Sequence, residues 1–141
     1  MRTPETAELP DSHWSYGFLI PHDPRAASVV RAALRALLRA TRLGCLADTV
    51  ELLASELVTN AYRHSPTDAY VNVERTPETL TVSVWDHGPG TPASSEAPRP
   101  SDDAESGRGL GIVDACADEW GVREDPYGKA VWFSVMPKGE A

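Results

Sequence analysis

A carboxylate and an amide lie one helical turn apart in the most regular helical segment of the sequence. Glu56 and Asn60 fall within Glu51–His64, where apolar residues recur at helical spacing and predict a buried face. At about 100° per residue, the two side chains lie about 40° apart, inside or beside that apolar stripe. Burying such groups without partners is costly, and a ligand with a metal ion would supply partners. Alternatively, both side chains reach solvent at the edge of the stripe or bond to neighbouring backbone.

Two glycine-containing segments further along the chain could approach a ligand closely. The first, Asp86-His-Gly-Pro-Gly90, follows a predicted strand, and the second, Gly107-Arg-Gly-Leu-Gly111, precedes a predicted short helix. Glycines there let backbone amides approach an anion, with help from the helix dipole. Each segment alone is equally compatible with a turn. The second is not a dinucleotide fingerprint, because no strand immediately precedes it, and the sequence contains no G-x-x-x-x-G-K-[ST] motif.

Composition limits the classes of function. The chain has 141 residues, with 13 Lys and Arg against 21 Asp and Glu, and a formal net charge of −8. This length suits one domain, and the acidic balance opposes direct nucleic-acid binding. Cys45 and Cys116 lie far apart in or beside apolar helical stretches, and we expect them to be buried, reduced residues of a cytoplasmic protein. We expect no export and no membrane association, because no long apolar stretch is present.

Hydrophobic periodicity predicts five strands and three helices between a disordered tail, residues 1–13, and a C-terminal tail, residues 138–141. The predicted strands are 14–20, 69–75, 80–86, 120–124 and 129–136, and the predicted helices are 24–44, 48–64 and 110–117. Asp23 is predicted to cap the first helix, and Asp48 with Glu51 to form a capping box at the second. Residues 91–106 have no periodicity and are predicted to form a lid loop.

This order of elements predicts the fold class. Strands and helices in this arrangement indicate a two-layer α+β sandwich over residues 14–137. Its sheet is expected to be mixed and mostly antiparallel, with all helices on one face.

Three motifs, taken together and in order, resemble those of the GHKL ATPase superfamily, which includes gyrases, heat-shock chaperones and histidine kinases. They are Glu-x-x-x-Asn on a helix, Asp-x-Gly-x-Gly after a strand, and Gly-x-Gly-x-Gly before a helix. The resemblance extends over roughly Asp48 to Met136. Segments 55–61 and 107–111 are most similar to the small anti-sigma-factor serine kinases and related bacterial regulators. The resemblance implies the Bergerat ATP-binding fold.

The same resemblance implies a role for each motif residue. Asn60 would coordinate Mg²⁺ together with the triphosphate, and Glu56 would be the general base toward an attacking hydroxyl or water. Asp86 would accept a hydrogen bond from the adenine amino group of ATP or ADP. The other implied nucleotide-binding residues make room for the base or bind phosphates: Gly88, Gly90, Gly107, Arg108, Gly109, Leu110 and Gly111. His64, one further turn along, could equally be a partner of the helix dipole.

One position departs from the family pattern. Relatives often carry a threonine in the final strand, where its hydroxyl reaches the base or its waters, and the corresponding residue here is Ala130. Nucleotide affinity is therefore expected to suffer, while the fold is not.

The implied function is an ATP-dependent serine/threonine protein kinase of the anti-sigma type. Such a protein holds a sigma factor and phosphorylates a small antagonist protein. The alternative is a nucleotide-gated protein-binding module without turnover. A homodimer is also expected from the aromatic strand Trp14–Ile20 and from the dimeric habit of these relatives, although the same strand could pack internally.

Overall fold

The computed structural model describes residues 12–87 and 104–136, and for residues 104–109 and 125 it describes the backbone alone. Residues 1–11 of the predicted N-terminal tail, the C-terminal tail and residues 91–103 of the predicted lid lie outside the described residues. Gly88 and Gly90 also lie outside them.

Five strands and three α-helices follow one another in the predicted order. The strands are β1 (Trp14–Ile20), β2 (Ala69–Arg75), β3 (Leu80–Asp86), β4 (Glu119–Asp125) and β5 (Gly128–Val135). The helices are α1 (Ala26–Ala40), α2 (Ala47–His64) and α3 (Ala104–Cys116), and a 3₁₀ turn at Gly44–Leu46 joins α1 to α2.

The strands form one sheet in the order β1-β2-β3-β5-β4. All four pairings among the described strands are antiparallel, and the register aligns Val71 with Val84 and Val84 with Val131. Because successive side chains point to opposite faces of a strand, these valines share one face of the sheet. The predicted α+β sandwich with a mostly antiparallel sheet is confirmed.

The helices cover that valine-bearing face. Helix α1 buries one side, α2 buries a wider stripe, and the sheet contributes alternate residues of β2, β3 and β5. Fully or nearly fully buried residues of this core include Val30, Leu34, Leu38, Val50, Leu53, Leu57, Val58, Val71, Val73, Val82, Val84, Val131 and Phe133. The apolar stripe predicted for α2 is confirmed, and it lies against the sheet.

Helix α1 begins slightly later than the sequence predicts, at Ala26. Asp23 instead organises the turn before the helix, because its carboxylate accepts hydrogen bonds from the amide of Arg25 at 2.7 Å and from its guanidinium at 2.8 Å. The side-chain hydrogen bond from Arg25 lowers the pKa of Asp23 to about 2.

The connection between α1 and α2 corrects two predictions. Helix α1 ends at Ala40 rather than Gly44, because Arg42 adopts a left-handed backbone conformation (φ 69°) that the helix cannot contain. Cys45, in the 3₁₀ turn, and Cys116, the last residue of α3, are both exposed rather than buried. Their neighbours Leu43 and Val113 occupy the core positions instead.

The predicted capping box at the start of α2 is wrong. The helix begins at Ala47, and no side chain caps it. The carboxylates of Asp48 and Glu51 instead form ion pairs with Arg35 of α1, with an Nη2 to Oδ1 distance of 2.7 Å for Asp48. A guanidinium offers charged donors to both carboxylates, which a backbone amide does not. The two acidic residues therefore tie α2 to α1.

No helix in the described parts of the chain is long and apolar enough to cross a membrane.

Candidate functional site

The ends of α2 and β3 meet at one edge of the sandwich. Helix α2 stops at His64 because Ser65, which precedes a proline, takes an extended conformation (φ −147°, ψ 134°). Residues 65–68 then lead into β2, whose first residue, Ala69, is the cross-strand partner of Asp86. The C-terminal half of α2 therefore lies at the same end of the sheet as Asp86.

Glu56 and Asn60 lie on this half of α2, at the edge of the buried stripe. Both side chains are half-buried, next to the fully buried Leu57. Neither forms a side-chain hydrogen bond or an ion pair with another residue in the parts of the chain that the structure describes. Their oxygen atoms therefore remain available to a ligand at the surface of the helix.

Asp86 ends β3 with its side chain turned toward the helices. It is 2% exposed, and by alternation it shares the face of Val82 and Val84. It also interacts with polar or charged groups around it. A carboxylate in this position can accept hydrogen bonds but cannot donate them when ionised. Asp86 therefore lies at the buried end of β3.

Gly128 contributes to the candidate site, although it lies between two of the strands predicted from the sequence. A Cβ atom at this position would lie 2.1 Å from the carbonyl oxygen of Asp86. Only glycine therefore allows β5 to approach the end of β3 this closely. An additional link joins the same two segments, since Nδ1 of His87 lies 2.9 Å from the carbonyl oxygen of Tyr127.

Lys129 is a second residue that the sequence interpretation missed. It is the cross-strand partner of Asp86 on one side and of Glu124 on the other. By alternation with Val131 it faces the helices, and it is 3% exposed. The sequence contained one signal for the burial of Lys129: it lies two residues before Val131, and this spacing places its charge on the apolar face of the strand.

Ala130 lies on the opposite face of the sheet from Asp86. Its cross-strand partners are Trp85 and Arg123, whose guanidinium carbon lies 5.9 Å from the centroid of the Trp85 ring. Ala130 itself is fully buried. A threonine hydroxyl at this position would point away from Asp86, so the expected loss of affinity does not follow from this register.

The glycine run does not precede a helix, as the sequence predicts, but lies inside one. Helix α3 begins at Ala104, so residues 104–106 belong to the helix and not to a loop. In an α-helix the amides of Gly109 and Gly111 point toward the carbonyls four residues earlier, and only the first four amides stay free. Of the three glycines, only Gly107 therefore lies among the first four residues of α3.

Helix α3 begins before the glycine run because of residues that the glycine motif does not include. Ala104, Glu105 and Ser106 can all continue a helix toward its N-terminus, whereas each internal glycine costs only about 1 kcal/mol relative to alanine. Leu110 is half-buried against the core, and Gly111 is exposed with open space beside it. The side chain of Arg108 lies outside what the structure describes.

The donor set fits an adenine nucleotide with a hard cation. Asp86 offers a buried acceptor, and Asn60 offers an amide oxygen of the type that Mg²⁺ accepts alongside phosphate oxygens. No group of three or more His, Cys, Asp or Glu side chains that could hold a metal is found among the described residues. Asn60 would hold Mg²⁺ and Asp86 the base, while the bound nucleotide supplies the phosphoryl group.

Similarity to known proteins extends over most of the chain. A family model described as a histidine kinase-like ATPase domain matches residues 20–135. Among solved structures, the histidine kinase AdeS of Acinetobacter baumannii is similar, with 15% sequence identity, a TM-score of 0.48, and coverage of 96% of this chain and 72% of that chain. No curated protein matches the chain.

Proposed function

The chain belongs to the family of histidine kinase-like ATPase domains, and from this premise we propose that it is an ATP-dependent anti-sigma factor kinase. In this proposal it acts in the cytoplasm, binds a sigma factor, and transfers the γ-phosphoryl group of ATP to a serine or threonine of a small antagonist protein.

The observation that supports phosphoryl transfer is the position of Glu56. Its carboxylate lies one helical turn before Asn60 on the same helix, is half-buried, and forms no ion pair with another described residue. A carboxylate next to a magnesium ligand is placed to accept the proton of an attacking hydroxyl near the γ-phosphate. Phosphoryl transfer otherwise needs mainly positioning and charge neutralisation, which Asn60 and the nucleotide-bound cation would supply.

A nucleotide-gated binding module without turnover is the second candidate, and the state of α3 favours it. The amides of Gly109 and Gly111 lie within this helix, which packs against α2 and β4. If these amides bind phosphates, the first turns of α3 must rearrange, and the surface offered to a protein partner changes with them. In this candidate, ATP or ADP would act only by selecting one arrangement of α3.

Transfer of labelled γ-phosphate to a co-purified protein partner separates the two candidates. The substitution Glu56→Gln is nearly isosteric, so we expect unchanged ATP affinity and a loss of transfer of about 10² to 10⁴. Asn60→Ala should also lose the magnesium-dependent part of nucleotide binding, because a metal ligand already contributes in the ground state.

Glu74→Gln is the matched control, because it removes the same charge from an exposed position on β2. It should transfer phosphate like the parent protein. If the parent protein binds ATP tightly and transfers nothing to any bound partner, the kinase proposal is wrong and the binding module replaces it.

A further inference from the structure

We propose that Lys129 recognises the base of the nucleotide, by donating a hydrogen bond from its ammonium to ring nitrogen N1 of adenine. Asp86 would accept from the neighbouring amino group at the same time. The inference rests on the proposed nucleotide site and assigns it a second residue that selects the base.

The sheet register brings the two residues together. Asp86 and Lys129 are directly opposite each other in an antiparallel pair, and both lie on the face that the helices cover. Directly opposed side chains in such a pair have Cβ atoms about 4.5–5.5 Å apart. The close approach of Gly128 to the Asp86 carbonyl oxygen keeps the strands together at this point. A residue that carries an acceptor and one that carries a donor are therefore neighbours at the end of the sheet.

The ammonium of Lys129 has no partner of its own in the described chain. The side chain is 3% exposed, and no hydrogen bond or ion pair joins it to Asp86, Glu124 or any other described residue. The ammonium can therefore donate a hydrogen bond to a ligand without breaking a contact with another described residue.

Adenine presents the matching pair of groups on a single edge. Its exocyclic amino group is a donor, and the adjacent N1 is an acceptor. An ionised carboxylate only accepts and an ammonium only donates, so Asp86 and Lys129 match these two groups in kind. Guanine presents a carbonyl oxygen and a protonated N1 at the corresponding positions, which reverses the pattern. The pair therefore favours adenine over guanine.

The test compares Lys129→Met with the parent protein by isothermal titration calorimetry, with Mg²⁺ present. The ligands are ATP, adenosine, 1-deaza-ATP, which lacks the N1 acceptor, and 7-deaza-ATP, which keeps it. The parent should bind 1-deaza-ATP at least tenfold more weakly than ATP, as expected for the loss of a charged hydrogen bond. It should bind 7-deaza-ATP like ATP.

Lys129→Met should bind ATP and adenosine at least tenfold more weakly than the parent and should no longer distinguish 1-deaza-ATP from ATP. Its melting temperature without nucleotide should not fall, because methionine is a chain of similar length and no hydrogen bond or ion pair with another described residue is lost. Arg123→Met is the control: it removes the same charge from the neighbouring strand on the opposite face, and it should bind every ligand like the parent.

Two results would overturn the inference. One is a parent protein that binds 1-deaza-ATP as tightly as ATP. The other is a Lys129→Met variant that loses affinity for ATP but not for adenosine, because that pattern indicates a phosphate contact. A parent protein that binds no adenine compound overturns the proposed function as well, so the two failures are distinguishable.

Discussion

At the scale of single residues, the face on which a side chain lies decides whether it can reach the proposed nucleotide site. Asp86 and Lys129 share the helix-covered face of the sheet, while Ala130, next to Lys129 in sequence, lies on the other face beside Trp85. Adjacent positions in one strand thus have different roles, because the side-chain period of a strand is two. Lys129, and not residue 130, therefore lies on the same face as Asp86, as the proposed donor to the base requires.

This arrangement makes Ala130→Thr informative. Because Ala130 is fully buried on the face away from Asp86, two extra heavy atoms should overpack that face and lower the free energy of unfolding by about 1–3 kcal/mol. The Kd for ATP should stay the same. Urea unfolding and calorimetry measure the two effects separately, and a clear gain in ATP affinity would show that residue 130 contacts the nucleotide after all.

The sequence contained enough information for some site residues and not for others. Asp86 could be placed because it ends an alternating strand and precedes two glycines, both of which are local patterns. Lys129 could not, because a lysine that follows a turn is usually solvated, and its burial depends on the register with β3 and on the cover that the helices provide. The two-residue spacing from Val131 indicates the apolar face of β5, but the burial of a lysine there is a tertiary property that this local spacing does not establish.

At the scale of elements, the close pairing of β3 with β5 holds the site in shape. Gly128 begins β5 directly after the turn and packs against the backbone of Asp86 and His87. The strands could not approach this closely around a side chain, so the position of Lys129 opposite Asp86 depends on this glycine.

Gly128→Ala should therefore disturb both stability and binding. The new methyl group would meet backbone rather than a flexible side chain, so we expect a loss of about 1–3 kcal/mol in the free energy of unfolding and weaker ATP binding. Gly121→Ala is the comparison, because the nearest atom to its new Cβ, at 3.1 Å, belongs to the Trp132 side chain. Equal stability of the two variants in urea unfolding would argue against a specific role for the β3–β5 contact.

Element types could be predicted from periodicity, whereas the helix starts could not. Asp48 and Glu51 have the spacing of a capping box, yet Arg35 on another helix binds both carboxylates. The start of α3 differs for a similar reason, since the glycine motif marks a place where a helix can begin but residues 104–106 extend it. In both cases, residues outside the motif affect where the helix begins.

At the scale of the whole molecule, the helices cover one face of the sheet and leave the proposed nucleotide site at its end. The C-terminal half of α2, the end of β3 and the start of β5 converge there, and α3 packs against α2. A ligand bound at this end would contact several elements that are distant in sequence. Because such a ligand binds the folded chain alone, ATP at a hundredfold excess over its Kd should stabilise the fold by about 2.7 kcal/mol.

The most direct test of the account is the binding of ATP with Mg²⁺ to the parent protein and to Asp86→Asn, measured by calorimetry. Glu78→Gln is the control, because it removes the same charge from the exposed turn at the far end of the same hairpin. We expect the parent and the control to bind ATP equally. Asp86→Asn should bind ATP at least tenfold more weakly, because a neutral amide replaces the carboxylate and accepts a weaker hydrogen bond from the adenine amino group. A parent protein that binds no ATP, or an Asp86→Asn variant that binds it as tightly as the parent, would contradict the assignment of this end of the sheet as the adenine site.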